Sequence, residues 1–483
     1  MQWYKDLRNP QDIYAAQLPL LKLMAWTGII PAKLNGKPGN RRLTTSWLGY
    51  VNTLIHIVVF IGCYLYTIYN QKSIVGHFFK NNITVMGDRL QLVAQLITTL
   101  VTYSCSAFRR EKFFIIIQKL QEVDDFAAEI GITANYKSTL RFILVFLAYK
   151  TTQIIVYILG TLFIFHKEDI YPSFDVWVSF FFPLVLISLL VSLYLCIMSQ
   201  IKHRFYLLNQ ILSSHANPLQ DPAVKIHTKD IVFIRKKSFG ISSALTKSHY
   251  MTMSHEQTLH ITAQMHHALC DICEAAEKYF SLKLLTIITI AFLIIIFNSY
   301  YILELLFKSD KQNSELMLGI YDFIAFFSYQ IVVYWMAIIC IVQISTSVQR
   351  QSEELGVWIH KILNQGATSI SDTVRMMLIQ FSLQLTHRRI KFTACGLFEL
   401  DKRLLFTIIG TLTTYLVILI QFSISGDQNL TKNATDTINL MESSMQAVQE
   451  LAEATTTLLS MNSTTNGCSR IECVLLYNFT DYN

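Results

Sequence analysis

The chain has 483 residues, of which 52% are hydrophobic and only 15% are charged, and it contains 8 prolines and 17 glycines. This composition predicts a helical protein with several membrane spans and excludes a soluble enzyme of similar length. The formal net charge of +7 is spread over segments that would face the cytosol, where lysine and arginine accumulate, so it does not indicate a nucleic-acid partner.

The first segment, residues 1–46, is polar and basic. It has no cleavable signal pattern, because the first long apolar run comes late and is too long. Within this segment, residues 15–30 have helical apolar spacing. We expect an amphipathic helix that packs against the bundle, with a helix lying on the membrane surface as the alternative.

Long apolar runs follow, each of a length that suits a helix across a hydrocarbon core of about 30 Å. They predict seven spans at residues 47–69, 90–108, 142–165, 176–198, 284–307, 317–344 and 404–424. Pro183 is expected to kink the fourth span. The predicted fold class is therefore an all-α polytopic membrane protein with seven transmembrane helices.

Lysine and arginine concentrate in the N-terminal arm and in the segments after the second, fourth and sixth spans. The positive-inside rule therefore puts the N-terminus in the cytosol and the C-terminus outside the cell. The glycosylation sequons lie on the same predicted outer side: Asn82, Asn429, Asn433, Asn462 and Asn478. This orientation is the inverse of that of G-protein-coupled receptors, so no G protein is expected as a partner.

The charge pattern divides the chain into alternating segments. These are a cytosolic arm (1–46), spans one to four (47–198), a cytosolic loop with a helix extension (199–283), spans five and six (284–344), cytosolic helices (345–403), the seventh span (404–425) and an extracellular tail (426–483). The tail is acidic and rich in serine and threonine, which is typical of a disordered, glycosylated segment. Cys468 and Cys473 fall in this oxidising compartment and are candidates for a small disulfide loop.

The loop after the fourth span contains residues that suggest a metal site. His255 and Glu256 are followed by a histidine five residues after His255, and this spacing does not fit the His-Glu-X-X-His motif of zinc proteases. His266, Cys270 and Cys273 share one helical face, but a closed zinc site needs a fourth ligand. We therefore expect a long helix that continues the fifth span, with these side chains packed against neighbours. No metal, cofactor or catalytic site is predicted.

The last span has polar side chains at an unusual spacing. Thr414, Ile418 and Gln421 lie at positions i, i+4 and i+7, so they share one face of the helix. An amide is costly in lipid, so Gln421 should face protein or water. The alternatives are a hydrogen bond between helices, a place among the headgroups, or the lining of a pore.

The end of this span also carries a motif. Thr414 and Tyr415 are followed by five apolar residues and then by Gln421 and Phe422, and this pattern resembles the C-terminal signature of insect gustatory receptors. Two earlier segments resemble the last cytosolic turn of that family and the start of its last helix: 392–398 (FTACGLF) and 403–405 (RLL). The close match covers residues 391–422, and the rest of the chain agrees in topology and order of segments.

The resemblance implies a channel built from four subunits, either a homotetramer or a heteromer with other gustatory receptors. Helices within 345–403 would form an intracellular anchor domain, and four seventh helices would line the pore. A ring of Phe422 or neighbouring apolar residues would close the pore by excluding water, and Gln421 would face the path of weakly selected cations. Thr414 and Tyr415 lie deeper, where they either line the pore or fix helix packing.

The resemblance also implies a ligand pocket within each subunit, opening outward between the first six helices. Aromatic walls with a few directed polar groups suit a small organic ligand. Lys150 and Asp322 are charges within spans, which indicates either a functional role, local ion pairing, or snorkelling of the lysine. The candidate ligand-binding residues are Lys150, Trp177, Asn298, Tyr301, Glu304, Tyr321, Asp322, Tyr329 and Gln330.

The last helix resembles both the fructose-receptor branch and the broadly expressed branch linked to bitter compounds, nucleosides and warmth. The positions at which the sugar receptors carry glutamine and tryptophan fall near Asp322 and Ala325 in an ungapped alignment, so we place the broadly expressed branch first and fructose second. An odorant-receptor-like channel is a further alternative, and a transporter is disfavoured because no internal repeat or pair of broken helices is found. The expected location is the plasma membrane of sensory neurons, with membrane lipid, permeant cations and a small tastant as partners.

Overall fold

The computed structural model describes residues 9–37, 39–70, 82–167, 169, 171–216, 233–235, 255–309, 314–365 and 371–427. The helices, numbered in chain order, are α1 (Ile13–Ala16), α2 (Leu18–Trp26), α3 (Trp47–Tyr69), α4 (Asn82–Phe108), α5 (Arg110–Glu129), α6 (Tyr136–Lys167), α7 (Phe174–Ala216), α8 (His255–Ser309), α9 (Ser314–Gln365), α10 (Asp372–His387) and α11 (Lys402–Asp427). The short strands pair antiparallel, β1 (Ala32–Asn35) with β2 (Arg42–Thr45), β3 (Ile132–Ala134) with β4 (Phe233–Arg235), and β5 (Thr393–Ala394) with β6 (Phe398–Glu399).

Seven helices of the described chain are long and apolar enough to cross a membrane, namely α3, α4, α6, α7, α8, α9 and α11. They confirm the predicted spans in number and order. The second of them begins at Asn82 rather than at residue 90, and α7 continues through Pro183. Helices α7, α8 and α9 have 43, 55 and 52 residues, at least twice the roughly 20 that a bilayer requires.

The extra length of these three helices projects from one end of the bundle, which we call the basic end because it carries the lysine- and arginine-rich segments. There α5 packs along α8, and α10 packs against α8 and α9. The long helix expected before the fifth span is present as the first half of α8. The expected N-terminal helix is present as α1 and α2, which pack against α6 and α5, with Ile13, Leu20 and Met24 fully buried.

Burial separates the central helices from the peripheral ones. In the most apolar 18-residue window, 67% of α7 and 61% of α8 are buried inside the chain, against 11% of α6 and 17% of α11. Helices α7 and α8 therefore form the core, because burial of apolar side chains is the main source of their packing energy. Helices α3, α6 and α11 leave most of their surface for lipid, water or other subunits.

A buried ion pair ties the basic end together. The guanidinium of Arg204 on α7 donates to both carboxylate oxygens of Asp124 on α5, at 2.9 and 2.7 Å. The Asp124 and Arg204 side chains are 1% and 6% exposed, and the hydroxyl of Tyr136 donates to the same carboxylate at 3.1 Å. One turn earlier on α7, Gln200 accepts a hydrogen bond from Gln17 at 3.0 Å. The start of the chain is thus fixed to α5, α6 and α7.

A tight hairpin, β5–β6, leads into the last span. Cys395 and Gly396 have positive φ angles of 55° and 74°, the arrangement of a type I′ turn, in which glycine is favoured at such positions. The hydroxyl of Thr393 donates to the carboxylate of Glu277 on α8 at 2.7 Å. Just before the hairpin, Arg388 donates to Asp271 of α8 at 2.6 Å. The start of α11 is therefore held against α8 at the basic end.

His266 lies at the centre of the basic end, on α8. Its ring is fully buried beside Phe381 of α10, at 5.5 Å between ring centroids, and the amide of Gln384 donates to its Nδ1 at 3.2 Å. Burial, together with the charges of Arg388 and His267, lowers the pKa of His266 to about 4 from its ordinary 6.5. Among the described residues, no group of three histidine, cysteine or acidic side chains is placed to hold a metal ion.

This depressed pKa predicts a loss of stability in mild acid. Between pH 6.5 and 4 the unfolded chain binds a proton that the folded chain excludes, so the free energy of unfolding falls as the pH falls, by about 2 kcal/mol at pH 5. Thermal unfolding of the purified protein at pH 7.5 and pH 5 measures this loss. The loss should shrink in His266→Phe and persist in a control, His260→Gln, at an exposed position of the same helix. An equal acid sensitivity in both variants would contradict the prediction.

Candidate functional site

A pocket lies between α6, α7 and α9, within the membrane-spanning part of the bundle. Its lining residues are Lys150, Gln153, Ile154 and Tyr157 of α6, Leu184, Ile187, Ser188 and Val191 of α7, and Tyr329, Gln330, Val333, Tyr334 and Ala337 of α9. Its volume of about 40 Å³ holds a few water molecules, whereas sites for drug-sized ligands measure about 300–1,000 Å³. A ligand of that size therefore requires the pocket to expand.

Lys150 supplies the charge in this pocket. Its ammonium donates to the side-chain oxygen of Gln153 at 3.0 Å and lies 5.7 Å from the ring centre of Tyr149. No carboxylate in the described part of the chain forms an ion pair with it. An ammonium has three N–H donors. A charged side chain within a span that has only a neutral partner is a typical place for a ligand to bind.

A chain of hydrogen bonds joins the other polar groups of the pocket. Asn298 of α8 donates to the side-chain oxygen of Gln330 on α9 at 2.6 Å, and Gln330 in turn donates to the hydroxyl of Tyr157 on α6. The rings of Tyr157 and Tyr329 stack with their centroids 5.7 Å apart. The network therefore connects three membrane helices, α6, α8 and α9.

The pocket gathers part of the predicted ligand-binding set. Lys150, Tyr329 and Gln330 line it, and Asn298 supports it from behind. Sequence reasoning missed four other polar lining residues: Gln153, Tyr157, Ser188 and Tyr334. The sequence does indicate Gln153 and Tyr157, because they come three and seven residues after Lys150 and so lie on the same helical face.

Three other candidates lie elsewhere. Trp177 stacks on Phe181 at 4.9 Å between ring centroids and lines a different groove. Tyr301 is fully buried, and its hydroxyl donates to the backbone oxygen of Thr84 on α4 at 3.4 Å. Glu304 lies beside the same phenol. The structure therefore does not bring Trp177, Tyr301 or Glu304 to the pocket that contains Lys150.

The last two candidates lie toward the end of the bundle opposite the basic end. Tyr321 is 61% exposed, and the carboxylate of Asp322 forms an ion pair with Lys167 at the end of α6. Asp322 is therefore locally paired, which is one of the alternatives that the sequence leaves open, and its partner is Lys167 rather than Lys150. The pair joins α6 to α9 away from the pocket.

The groove that contains Trp177 is larger but almost wholly apolar. It has a volume of about 440 Å³ and runs between α2, α3, α4, α6 and α7, where its walls include Trp26, Ile158, Phe182 and Leu189. The hydroxyl of Tyr103 in this groove already donates to the backbone oxygen of Thr27 at 2.9 Å. The groove suits acyl chains of the bilayer more than a polar ligand, because specificity needs directed polar groups.

Helix α11 turns a continuous face away from its own chain. The exposed positions on this face are Arg403, Thr407, Gly410, Thr414, Ile418 and Gln421. The hydroxyl of Thr414 donates to the backbone oxygen of Gly410 at 3.1 Å, and Tyr415, half exposed, meets the ring of Phe292 edge-on at 6.2 Å. The predicted set of Thr414, Ile418 and Gln421 thus shares one exposed face.

Several predicted sites lie outside what the structure describes. The side chain of Phe422 is outside the described part, and so are the tail sequons and the two tail cysteines: Asn429, Asn433, Asn462, Asn478, Cys468 and Cys473. Asn82 is the first residue of α4, at the end of the bundle opposite the basic end. Glycosylation and the disulfide remain predictions.

Comparisons with known proteins agree with this architecture. The sequence model of the family described as 7tm Chemosensory receptor matches residues 17–426. Gustatory receptor 28b of Drosophila melanogaster is 32% identical over 395 residues, which cover 81% of this chain and 82% of that protein. Gustatory receptor 28a of the same fly is 30% identical over 449 residues, 90% of this chain and 98% of that protein.

Two weaker similarities add to these. The Drosophila melanogaster gustatory receptor for bitter taste 66a is 26% identical over 219 residues, 43% of this chain and 37% of that protein. Among solved structures, the insect olfactory receptor OR5 from Machilis hrabei superposes with a TM-score of 0.51 at 13% identity, covering 85% of this chain and all of that chain. At this identity the superposition concerns the fold alone.

Proposed function

Because this chain belongs to the insect gustatory receptor family of seven-helix chemosensory receptors, we propose that it is a taste receptor that opens a cation channel when a small ligand binds. The family consists of receptors and channels, so the chain is not an enzyme. In this proposal the protein lies in the plasma membrane of a sensory neuron, with the basic end in the cytosol. The distribution of lysine, arginine and sequons supports that orientation.

The exposed face of α11 is the observation that carries the channel proposal. A membrane helix that turns Gln421 away from its own chain exposes an amide that lipid does not satisfy. The same face carries Thr407 and Thr414, whose hydroxyls donate to their own helix. Four copies arranged around an axis would place this face on a water-filled path. Gln421 then lies near the outer end of the pore, and Ile418 with Phe422 would form the apolar constriction that excludes water.

The pocket around Lys150 is the proposed ligand site. Tyr157 and Tyr329 offer stacked aromatic surface, and the ammonium of Lys150 offers donors. This combination fits a planar organic molecule that carries a carbonyl, carboxylate or other acceptor, as many bitter compounds and nucleosides do. Partial similarity to the receptor for bitter taste supports the same class of ligand. The pocket must expand on binding, so the bound and free states differ in helix spacing, which is the requirement for gating.

Whole-cell current in cells that express only this chain tests the proposal. A panel of bitter compounds, nucleosides and sugars should include at least one that evokes a fast cation current without added G-protein components. A current evoked only by sugars would favour the fructose alternative, and a current evoked by warming alone would favour temperature as the stimulus. Concentrative uptake of a labelled compound without current would refute the channel proposal in favour of a transporter.

A substitution in α11 tests the placement of the pore. Gln421→Ala removes the amide proposed to face the cation path, so we expect a lower single-channel conductance at unchanged surface expression. Thr413→Val is a suitable control, because Thr413 lies beside the exposed face and its hydroxyl donates to its own helix, to the oxygen of Ile409 at 3.0 Å. If the Gln421→Ala channel conducts as the wild type does, Gln421 does not line the pore.

A further inference from the structure

Helix α4 carries a polar face that is turned inward. The residues on this face recur every three or four positions and are all buried: Gln91, Gln95, Thr98, Thr99, Thr102 and Ser106. Helix α4 packs along α8, with Gly87 at the level of Phe297 and Tyr301, so the two helices run antiparallel. We call this contact the α4–α8 seam. The polar face therefore lies in the interior of the bundle, away from lipid.

Most of these polar groups lack partners in the described structure. Thr98 donates to the backbone oxygen of Ala94 at 2.8 Å, as threonine commonly does in a helix. Five other atoms of the face have no hydrogen-bond partner within the described residues: Gln91 Nε2, Gln95 Oε1, Thr99 Oγ1, Thr102 Oγ1 and Ser106 Oγ. Each such buried atom costs about 1–3 kcal/mol if it stays unpaired. Small polar species, such as water or an ion, would satisfy these atoms.

The seam ends at a buried lysine, whose charged form burial disfavours unless an anion lies beside it. Lys283 on α8 is fully buried, and its ammonium has no hydrogen-bond acceptor in the described part of the chain. The ammonium lies 3.3 Å from the ring centre of Tyr279. It is also close to Cys105 on α4 and to Arg109, the residue that follows α4. Arg109 itself donates to the backbone oxygen of Lys278 at 2.6 Å, so its charge is also held at this place.

The groups that converge here are donors. The ammonium of Lys283 lies over the face of the Tyr279 ring, so the phenol hydroxyl is close to it. The hydroxyl of Ser106 lies beside that of Tyr279. Neither hydroxyl has a partner of good geometry, and both residues are 1% exposed. Lys283, Ser106 and Tyr279 thus supply three donors, and none of the ion pairs between described residues brings a carboxylate to Lys283. Such a set of donors is complementary to an anion, since the ring of Tyr279 offsets only part of the lysine charge.

We propose that the α4–α8 seam binds a small inorganic anion of the chloride class, held by Lys283, Ser106 and Tyr279. Burial of all three side chains favours a monatomic ion over a lipid headgroup or an organic carboxylate, because the larger groups need more space between packed helices. Water in the seam completes the shell of the anion and pairs with Thr99 and Thr102. The anion joins α4 to α8 where the membrane spans meet the basic end, independently of the ligand pocket.

Thermal unfolding of the purified full-length protein tests this site without any tastant. Midpoints are compared in sodium chloride, sodium bromide and sodium gluconate at equal ionic strength, because an anion that binds only the folded state raises the midpoint. We expect chloride and bromide to raise the wild-type midpoint by several degrees over gluconate. The difference should disappear in Lys283→Met and shrink in Ser106→Ala. It should persist in Lys278→Met, a control at a lysine that is half exposed.

Each other outcome refutes the anion site. Equal wild-type midpoints in all three salts would mean that water alone fills the seam. A halide effect that survives in Lys283→Met would place the responsive site elsewhere. If Lys283→Met fails to fold, Ser106→Ala decides the question, because removal of one hydroxyl donor weakens the halide effect without leaving a buried charge.

Discussion

Arg204→Met is expected to destabilise the receptor strongly and to lower its surface expression. The substitution leaves Asp124 as a buried carboxylate without its guanidinium, and breaking a buried pair in this way costs about 3–5 kcal/mol. Such a loss is a large part of the 5–15 kcal/mol by which folded domains are stable. Surface biotinylation and thermal unfolding of detergent-solubilised protein measure the effect. Arg389→Met, at an exposed arginine of the same end, should behave as the wild type.

A double substitution separates the charge effect from the loss of packing. Asp124→Leu with Arg204→Met replaces the pair by apolar side chains of similar size, an exchange that is often neutral or stabilising. We expect the double variant to regain surface expression. If it is as defective as Arg204→Met alone, the ion pair contributes through its geometry, including the bond from Tyr136, and not through an uncompensated charge.

Lys150→Met is expected to weaken activation by ligands that carry an acceptor group, raising the half-maximal concentration about 10- to 100-fold. This range corresponds to the loss of one hydrogen bond to a charged group, about 1.5–3 kcal/mol. Methionine keeps the length and apolar stem of lysine, so surface expression and the maximal current should be retained. Dose–response curves for the active compounds provide the measurement.

The same substitution also tests the chemistry assigned to the pocket. Active compounds without an acceptor should keep their potency in Lys150→Met, because they contact only the tyrosine rings. Lys167→Met removes a lysine of the same helix that pairs with Asp322 away from the pocket, and it should leave potency unchanged. Superimposable curves for wild type and Lys150→Met would exclude this lysine from the ligand site.

The sequence was sufficient to predict the seven spans because a helix that spans lipid must be apolar over its length. The second span is the least apolar of the seven, for a physical reason. Its glutamines and threonines are turned toward α8, so a helix that lies within the bundle can be polar on one side. Hydropathy alone does not distinguish an inward polar face from a break in the span.

The pocket could be predicted only in part. Lys150 stands out in the sequence because it is a charge within an apolar run, and Tyr329 and Gln330 because they are polar groups in the sixth span. The pairing of Asp322 with Lys167 joins positions 155 residues apart and depends on how α6 and α9 are packed. The hydrogen bond from Asn298 to Gln330 depends likewise on packing between helices, which residue spacing along one helix does not reveal.

Helix α8 contains neither glycine nor proline over its 55 residues. Kinks arise mainly at such residues, so α8 behaves as a stiff rod of about 80 Å. Asn298 donates to Gln330 of the pocket, and Glu277 accepts from Thr393 of the hairpin before α11; the two residues are about 30 Å apart on this rod. A tilt of about 4° at the first point therefore moves the second by about 2 Å. In the proposed channel, leverage along this rigid arm would turn a slight widening of the pocket into a displacement at the base of α11.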